Sequence, residues 1–151
     1  MMQIYIENDK KRHMDLLLSG DEQEDMIEKY LERSQMFVLD DDGIKAQCCV
    51  VKENAGVYEI KNISVKAPYY RKGYGRALVE YVRDYYKDCK TLYAGTGESE
   101  DTMGFYRALG FKYSHRVKDF FINNYSRPIF EGGVQLKDMV YFKLSDDSET
   151  E

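Results

Sequence analysis

The chain has 151 residues, with 22 Lys+Arg against 27 Asp+Glu for a net charge of −5, and 43% of its residues are hydrophobic. A chain of that length suits one core held without disulfides or a structural metal, and two independent domains are not expected. The acidic balance with scattered cations argues against a nucleic-acid partner, and no window approaches the ~18 uninterrupted apolar residues of a membrane span.

The start, Met1-Met2-Gln3-Ile4-Tyr5-Ile6-Glu7, lacks the basic opening of a signal peptide, so a cytoplasmic protein is expected. Alternation over Gln3 to Glu7 predicts a first strand, and Met14, Leu16, Leu17 and Leu18 predict a short helix ending at Gly20. Asp21 with Glu24 has the spacing of a capping box, which predicts a second helix with Met26, Ile27, Tyr30 and Leu31 as its apolar stripe. Met36 to Leu39, the turn Asp40-Asp41-Asp42-Gly43 and Ile44 to Val51 predict a hairpin in which Gly43 supplies a positive φ. The three aspartates lack the later ligands of a calcium loop and are read as turn residues. A second turn at Glu53-Asn54-Ala55-Gly56 leads to a third strand of the meander over Val57 to Val65.

Leu78, Val79, Val82 and Tyr85/Tyr86 recur at helical spacing from Gly75 to about Lys87. A strand over Lys90 to Ala94, a helix over Asp101 to Leu109 and a strand from Phe111 follow. Strand, helix, strand at this length predicts a parallel crossover after the antiparallel meander, hence an α/β fold built on a mixed sheet with helices on both faces. Asp119-Phe120-Phe121 reads as strand, Asn124 to Gly133 as a long loop, and Met139 to Leu144 as the last strand. One domain over 1–144 and an acidic, frayed tail over 145–151 are expected.

Cys48, Cys49 and Cys89 are odd in number and lack metal-ligand spacing, so they read as core or near-core thiols and no metal is expected. His13 and His115 stand outside any motif and read as ordinary surface or boundary residues. The 14 tyrosines read as half-buried residues with a polar tip, or as the lining of an aromatic acceptor pocket.

The chemistry concentrates in Tyr70-Arg71-Lys72-Gly73-Tyr74-Gly75-Arg76-Ala77, between a predicted strand and a predicted helix. Consecutive amides at such a turn, backed by the helix dipole, form an anion site. Gly73 and Gly75 admit close approach of a phosphate, and Arg71, Lys72 and Arg76 add positive charge, so a pyrophosphate is the natural ligand. The third glycine of a dinucleotide fingerprint and the Gly-Lys-Ser/Thr of a P-loop are both missing.

Together with Glu59 to Val65 and with Phe105-Tyr106-Arg107-Ala108-Leu109-Gly110-Phe111, this segment resembles, in order and spacing, the GNAT superfamily of acetyl-CoA-dependent N-acetyltransferases. The resemblance runs from about residue 3 to 144. Tyr70 departs from it, standing where the family usually has Gln or Arg, and the Asn usual ahead of the tyrosine-bearing helix has no clear counterpart.

The resemblance implies a GNAT-like acyl-CoA N-acyltransferase fold with acetyl-CoA as co-substrate. Its pantetheine arm would pair with the backbone of Ile63 and Val65, and its pyrophosphate would be held by Tyr70, Arg71, Lys72, Gly73, Tyr74, Gly75 and Arg76. It also implies Tyr106 as the acid to the leaving thiolate and Glu59 as general base or ligand of the substrate ammonium; a surface carboxylate paired with a lysine is the alternative for Glu59. The expected reaction is direct transfer of acetyl to a primary amine of a small cationic acceptor in a ternary complex. The acceptor is expected near the first two helices, Asp119 to Phe121 and the Asn124 to Gly133 loop. A peptide or protein amine is the other acceptor class, a non-catalytic acyl-CoA sensor the other function, and a homodimer the expected assembly.

Overall fold

The computed structural model describes residues 2–145, which form two compact units, one up to Cys89 and one from Lys90 on. The tail from Asp146 lies outside the described residues.

The first unit is built on an antiparallel meander: β1 (Met2–Glu7), β2 (Gln35–Asp41), β3 (Ile44–Asn54) and β4 (Val57–Val65). Asp42 and Gly43, with φ of 57° and 107°, turn β2 into β3, and the Asp40 carboxylate accepts the Gly43 amide at 3.0 Å. Two consecutive left-handed residues match the twist of a tight hairpin, which is why glycine follows an aspartate there. Helices α1 (Met14–Gly20) and α2 (Glu24–Glu28) cover one side of this sheet; Leu17 and Ile27 from them, and Tyr30 and Leu31 from the turn after α2 rather than from the expected helix stripe, are buried against Met36, Val38, Cys49 and Val51. Helix α3 (Tyr74–Tyr85) buries Leu78, Val79 and Val82, and the Phe37 ring stands edge-on to Tyr81, Tyr85 and Tyr86 at 5.3–5.9 Å.

The capping-box expectation needs correcting. Gln23, not Asp21, occupies the N-cap of α2, and the Asp21 carboxylate instead accepts the Tyr30 hydroxyl at 2.9 Å. That bond is one end of a buried polar network. Asn62 on β4 donates to the Leu17 carbonyl and to the Tyr30 hydroxyl, both at 3.0 Å, and accepts from Gln47 at 2.8 Å. Ser64 donates to the Leu16 carbonyl at 2.6 Å and accepts from Gln47 at 3.1 Å. β4 thus reaches two carbonyls of α1 through its side chains, that of Leu17 also accepting the Asp21 amide at 2.9 Å. A Cβ on Gly20 would stand 2.1 Å from the Asn62 amide oxygen, so only glycine lets α1 end this close to the strand.

The second unit has a three-stranded antiparallel sheet in which β9 (Met139–Ser145) lies between β5 (Thr91–Gly97) and β6 (Lys112–Val117). Helix α4 (Glu100–Ala108) packs on it through Tyr106, whose ring stacks on Phe142. The segment read as strand at Asp119 to Phe121 is instead the start of helix α5 (Phe120–Asn124), because Asp119 takes a left-handed φ of 56° and its amide bonds the Asp138 carboxylate at 2.9 Å. The long loop that follows contains a small hairpin, β7 (Phe130–Glu131) with β8 (Val134–Gln135). Phe121, Ile129 and Leu136 form its own small core. Among the described residues no helix is long and apolar enough to cross a membrane.

Replacing Asn62 by Ala removes three buried hydrogen bonds at once, to the Gln47 amide, the Tyr30 hydroxyl and the Leu17 carbonyl. We expect a loss of about 3 kcal/mol in urea unfolding. A loss below about 1 kcal/mol would show that the network does not hold α1 to the strand.

Candidate functional site

Strand β4 carries a β-bulge. Cys49 pairs with Asn62 while the next residue, Val50, pairs with Ile60, so Lys61 is the extra residue. The bulge exchanges the faces of the strand. Tyr58 stacks on Tyr86, which follows α3, with ring centroids 4.2 Å apart. Asn62 and Ser64, at the same even parity but beyond the bulge, bond α1 on the other side. Glu59, at odd parity before the bulge, therefore stands on the α1/α2 side. Its partner across the ladder, Val51, belongs to the core cluster of that side. Ile63 and Val65, half-buried, alternate with Asn62 and Ser64 and point away from α1.

The Glu59 side chain is 13% exposed and its carboxylate lies 3.4 Å from the Lys61 ammonium. Burial raises its pKa above the ordinary carboxylate value, and the Lys61 charge works against that shift. The lysine partner expected of a surface carboxylate is present, but the carboxylate itself is largely withdrawn from water.

The turn after β4 opens α3. Arg71 and Gly73 both hold left-handed backbone, with φ of 63° and 85°. The first helical bond runs from the Ala77 amide to the Gly73 carbonyl at 3.0 Å. The amides of Tyr74 and Gly75 precede it, so they have no carbonyl acceptor within the helix. A Cβ on Gly73 would meet nothing within 4 Å, so glycine answers a backbone requirement and leaves open space above the turn. Arg71, Lys72 and Arg76 are exposed, and Arg76 bridges Glu80 at 3.4 Å. Tyr70 is 56% exposed. The Tyr74 hydroxyl donates to Asp41 at 2.7 Å, which ties the helix start to the β2–β3 turn and raises the phenol's pKa. Amides, helix dipole and cations in this arrangement are able to hold an anion.

In the second unit Tyr106 is buried, 4% exposed. Its place follows from how α4 ends. The Phe111 amide bonds the Tyr106 carbonyl at 3.0 Å and the Gly110 amide bonds the Arg107 carbonyl at 2.9 Å, with Gly110 at a φ of 96°. This is a Schellman motif, and the hydrophobic contact that accompanies it is Phe111 on Tyr106, ring centroids 5.2 Å apart. A groove of about 600 Å³ lies beside α4 and β6, and four of its lining charges are paired, Arg116 with Glu98 at 3.1 Å and Arg107 with Glu100 at 3.2 Å.

Comparison with known proteins decides the family. Residues 32–113 match the model of the acetyltransferase (GNAT) domain. The uncharacterized N-acetyltransferase YvbK of Bacillus subtilis (strain 168) is 34% identical over 134 residues, 86% of each chain. The chain belongs to the GNAT acetyltransferase family. A GNAT family acetyltransferase from Elizabethkingia anophelis, with acetyl-CoA bound in its crystal structure, superposes with a TM-score of 0.90 at 28% identity, over 95% of this chain and 97% of that one. A Bacillus subtilis acetyltransferase in complex with CoA gives 0.84 at 32%, over 96% and 99%.

The GNAT fold read from the sequence is thus the fold of the solved relatives, and the protein is an acyltransferase. Within this GNAT chain the bulge on β4 assigns Glu59 to the α1/α2 side, which strand parity alone left open. Lys61 and Asn62, which sequence reading passed over, prove to be the side chains that surround Glu59 and anchor α1. The one signal for Asn62 was a polar residue at an apparently buried strand position.

The raised pKa of Glu59 means that the folded chain holds this proton more tightly than the unfolded chain does. The stability it contributes is complete below about 4.5 and is lost as pH rises through the folded-state value. Glu59→Gln removes this titration. The variant should therefore gain stability relative to wild type as pH is raised from 4 to 8 in urea unfolding, and a gap that stays flat or closes would contradict the burial of an ionisable Glu59.

Proposed function

We propose that this GNAT protein transfers acetyl from acetyl-CoA to a primary amine of a small cationic acceptor, by direct attack in a ternary complex, within one catalytic domain spanning 1–144. The observation that carries the cofactor half is the cradle at the start of α3: left-handed Arg71 and Gly73, the amides of Tyr74 and Gly75, and three cations in a chain of net charge −5. The two CoA-liganded relatives support the same ligand. Arg71, Lys72, Gly73, Tyr74, Gly75 and Arg76 are assigned to the pyrophosphate, Tyr70 to the solvent rim of that loop, and the backbone of Ile63 and Val65 to the pantetheine arm.

Acetyl-CoA supplies an activated acetyl thioester. The chain's own residues handle protons. Glu59 takes a proton from the acceptor ammonium and so frees the amine lone pair, a role that a carboxylate with a raised pKa fills better than an exposed one. The C–N bond then forms and the C–S bond breaks; the nitrogen sheds its second proton to water, and Tyr106 is assigned to protonate the departing thiolate, on its match to the family's tyrosine, and to regain its own proton from solvent. A thiol's pKa of about 8.5 makes the thiolate a fair leaving group, so this proton matters less than the first. Glu59, the most withdrawn carboxylate of its ion-pair group, is the group that would receive the ammonium of a cationic acceptor.

Calorimetric titration with acetyl-CoA, against ATP and desulfo-CoA, tests the cradle: micromolar or tighter binding of acetyl-CoA, and about tenfold weaker binding in Arg71→Ala through loss of one charge-assisted contact, are expected. Equal binding of ATP would sink the pantetheine assignment. Glu59→Gln should slow turnover by about 10²–10⁴-fold and Tyr106→Phe by less, each with acetyl-CoA affinity near wild type. Two variants with undiminished turnover would withdraw both assignments, and no turnover by wild type on any amine, with acetyl-CoA bound, would favour a sensor.

A further inference from the structure

Lys61 stands between two carboxylates. Its ammonium is 3.4 Å from Glu59 and 3.8 Å from Glu53, and Arg33 approaches Glu53 at 4.0 Å. The side chains of Glu59, Lys61 and Glu53 are 13%, 22% and 34% exposed, so the withdrawn end of the trio is Glu59 and the wet end is Glu53. The charged groups bearing on Glu59 are thus Lys61 near it on β4, Glu53 on β3, two residues past its ladder partner Val51, and Arg33 at Glu53. Two negative and two positive charges sum to zero, so the trio with Arg33 is neutral as it stands.

We propose that Lys61 is a positioning residue for acetyl transfer: it is the resident counter-ion that keeps Glu59 ionised and oriented, and Glu53 is the second seat to which the same ammonium shifts when an acceptor's ammonium reaches Glu59. The proposal rests on the reading of Glu59 as the base. A buried carboxylate with no counter-ion takes up a proton and cannot accept another, whereas an opposite charge within about 4–6 Å holds it ionised. A second cation arriving at Glu59 repels the first. Because Glu53 is already within reach of Lys61, the lysine yields by a small swing of its flexible stem, with its charge still compensated. No atom of Lys61 enters the reaction.

The decisive experiment needs no acceptor. Full-length protein with 13C-labelled glutamate carboxyls is titrated by NMR, with and without acetyl-CoA, and the Glu59 signal is identified by its loss in Glu59→Gln. Lys61→Met should move the Glu59 titration to higher pH, Lys61→Arg should restore it to near wild type, and Glu53→Gln should move it lower, because the lysine charge then falls wholly on Glu59. CoA release is measured in parallel with primary amines from propylamine to spermidine. On the acid limb, Lys61→Met should lose about tenfold in kcat/KM relative to wild type, recover at high pH, and keep its acetyl-CoA affinity. A Glu59 titration that does not move in Lys61→Met overturns the proposal, even where Glu59→Gln is slow. Wild-type turnover by Glu59→Gln overturns instead the base reading on which it rests, whatever the titration shows.

Discussion

A single extra residue in β4 sets the layout of the first unit. The bulge at Lys61 lets one strand present Tyr58 to the side that carries the Tyr86 ring and Asn62 and Ser64 to α1, although all three have the same parity. An unbulged strand would turn either the aromatic stack or the polar anchor of α1 to the wrong face, since a shift of one residue inverts every side chain beyond it. The same slip leaves Glu59 on the α1/α2 side with a lysine next to it. Sidedness, ion pairing and helix anchoring are one geometric event rather than three.

Helix ends carry much of the remaining design, and each is shaped by a different rule. The start of α3 leaves amides open and surrounds them with left-handed backbone and cations, which suits an anion. The end of α1 takes added bonds from strand side chains, and the end of α4 closes on itself through Gly110 and Phe111. The tyrosine, three residues, Gly-Phe spacing has a structural cause of its own: it places a left-handed glycine at the stop and a ring against Tyr106. The packing role and the chemical role assigned to Tyr106 are therefore compatible, because the cap that buries the ring also holds the side chain in one place.

Much of this was legible in the sequence where a residue type had only one use. Asp42-Gly43 and Gly56 marked turns because φ is positive there, and the apolar spacing of Leu78, Val79 and Val82 marked α3. The turn that opens α3 was legible because a glycine at 73 suits the positive φ that the chain needs there. The face of Glu59 was not, because a bulge leaves no trace in alternation: the burial pattern of β4 stays regular while its sides change. Asp119 to Phe121 misled because a short apolar pair fits strand and helix alike, and the left-handed aspartate that decides it gains its amide partner only from Asp138, far along the chain. The short pairing of Phe130 and Glu131 with Val134 and Gln135 is stabilised by the Phe121, Ile129 and Leu136 cluster rather than by local pattern.

The fit of Gly20 against Asn62 has a consequence for how this chain can diverge. A side chain at 20 would collide with the amide oxygen of 62, and a shorter residue at 62 would lose three buried hydrogen bonds while removing the oxygen from that collision. Neither position can drift by itself. In an alignment of close relatives the two should behave as a covarying pair, linking a helix end to a strand interior, and the acceptor side of the fold would diversify around that pair rather than through it.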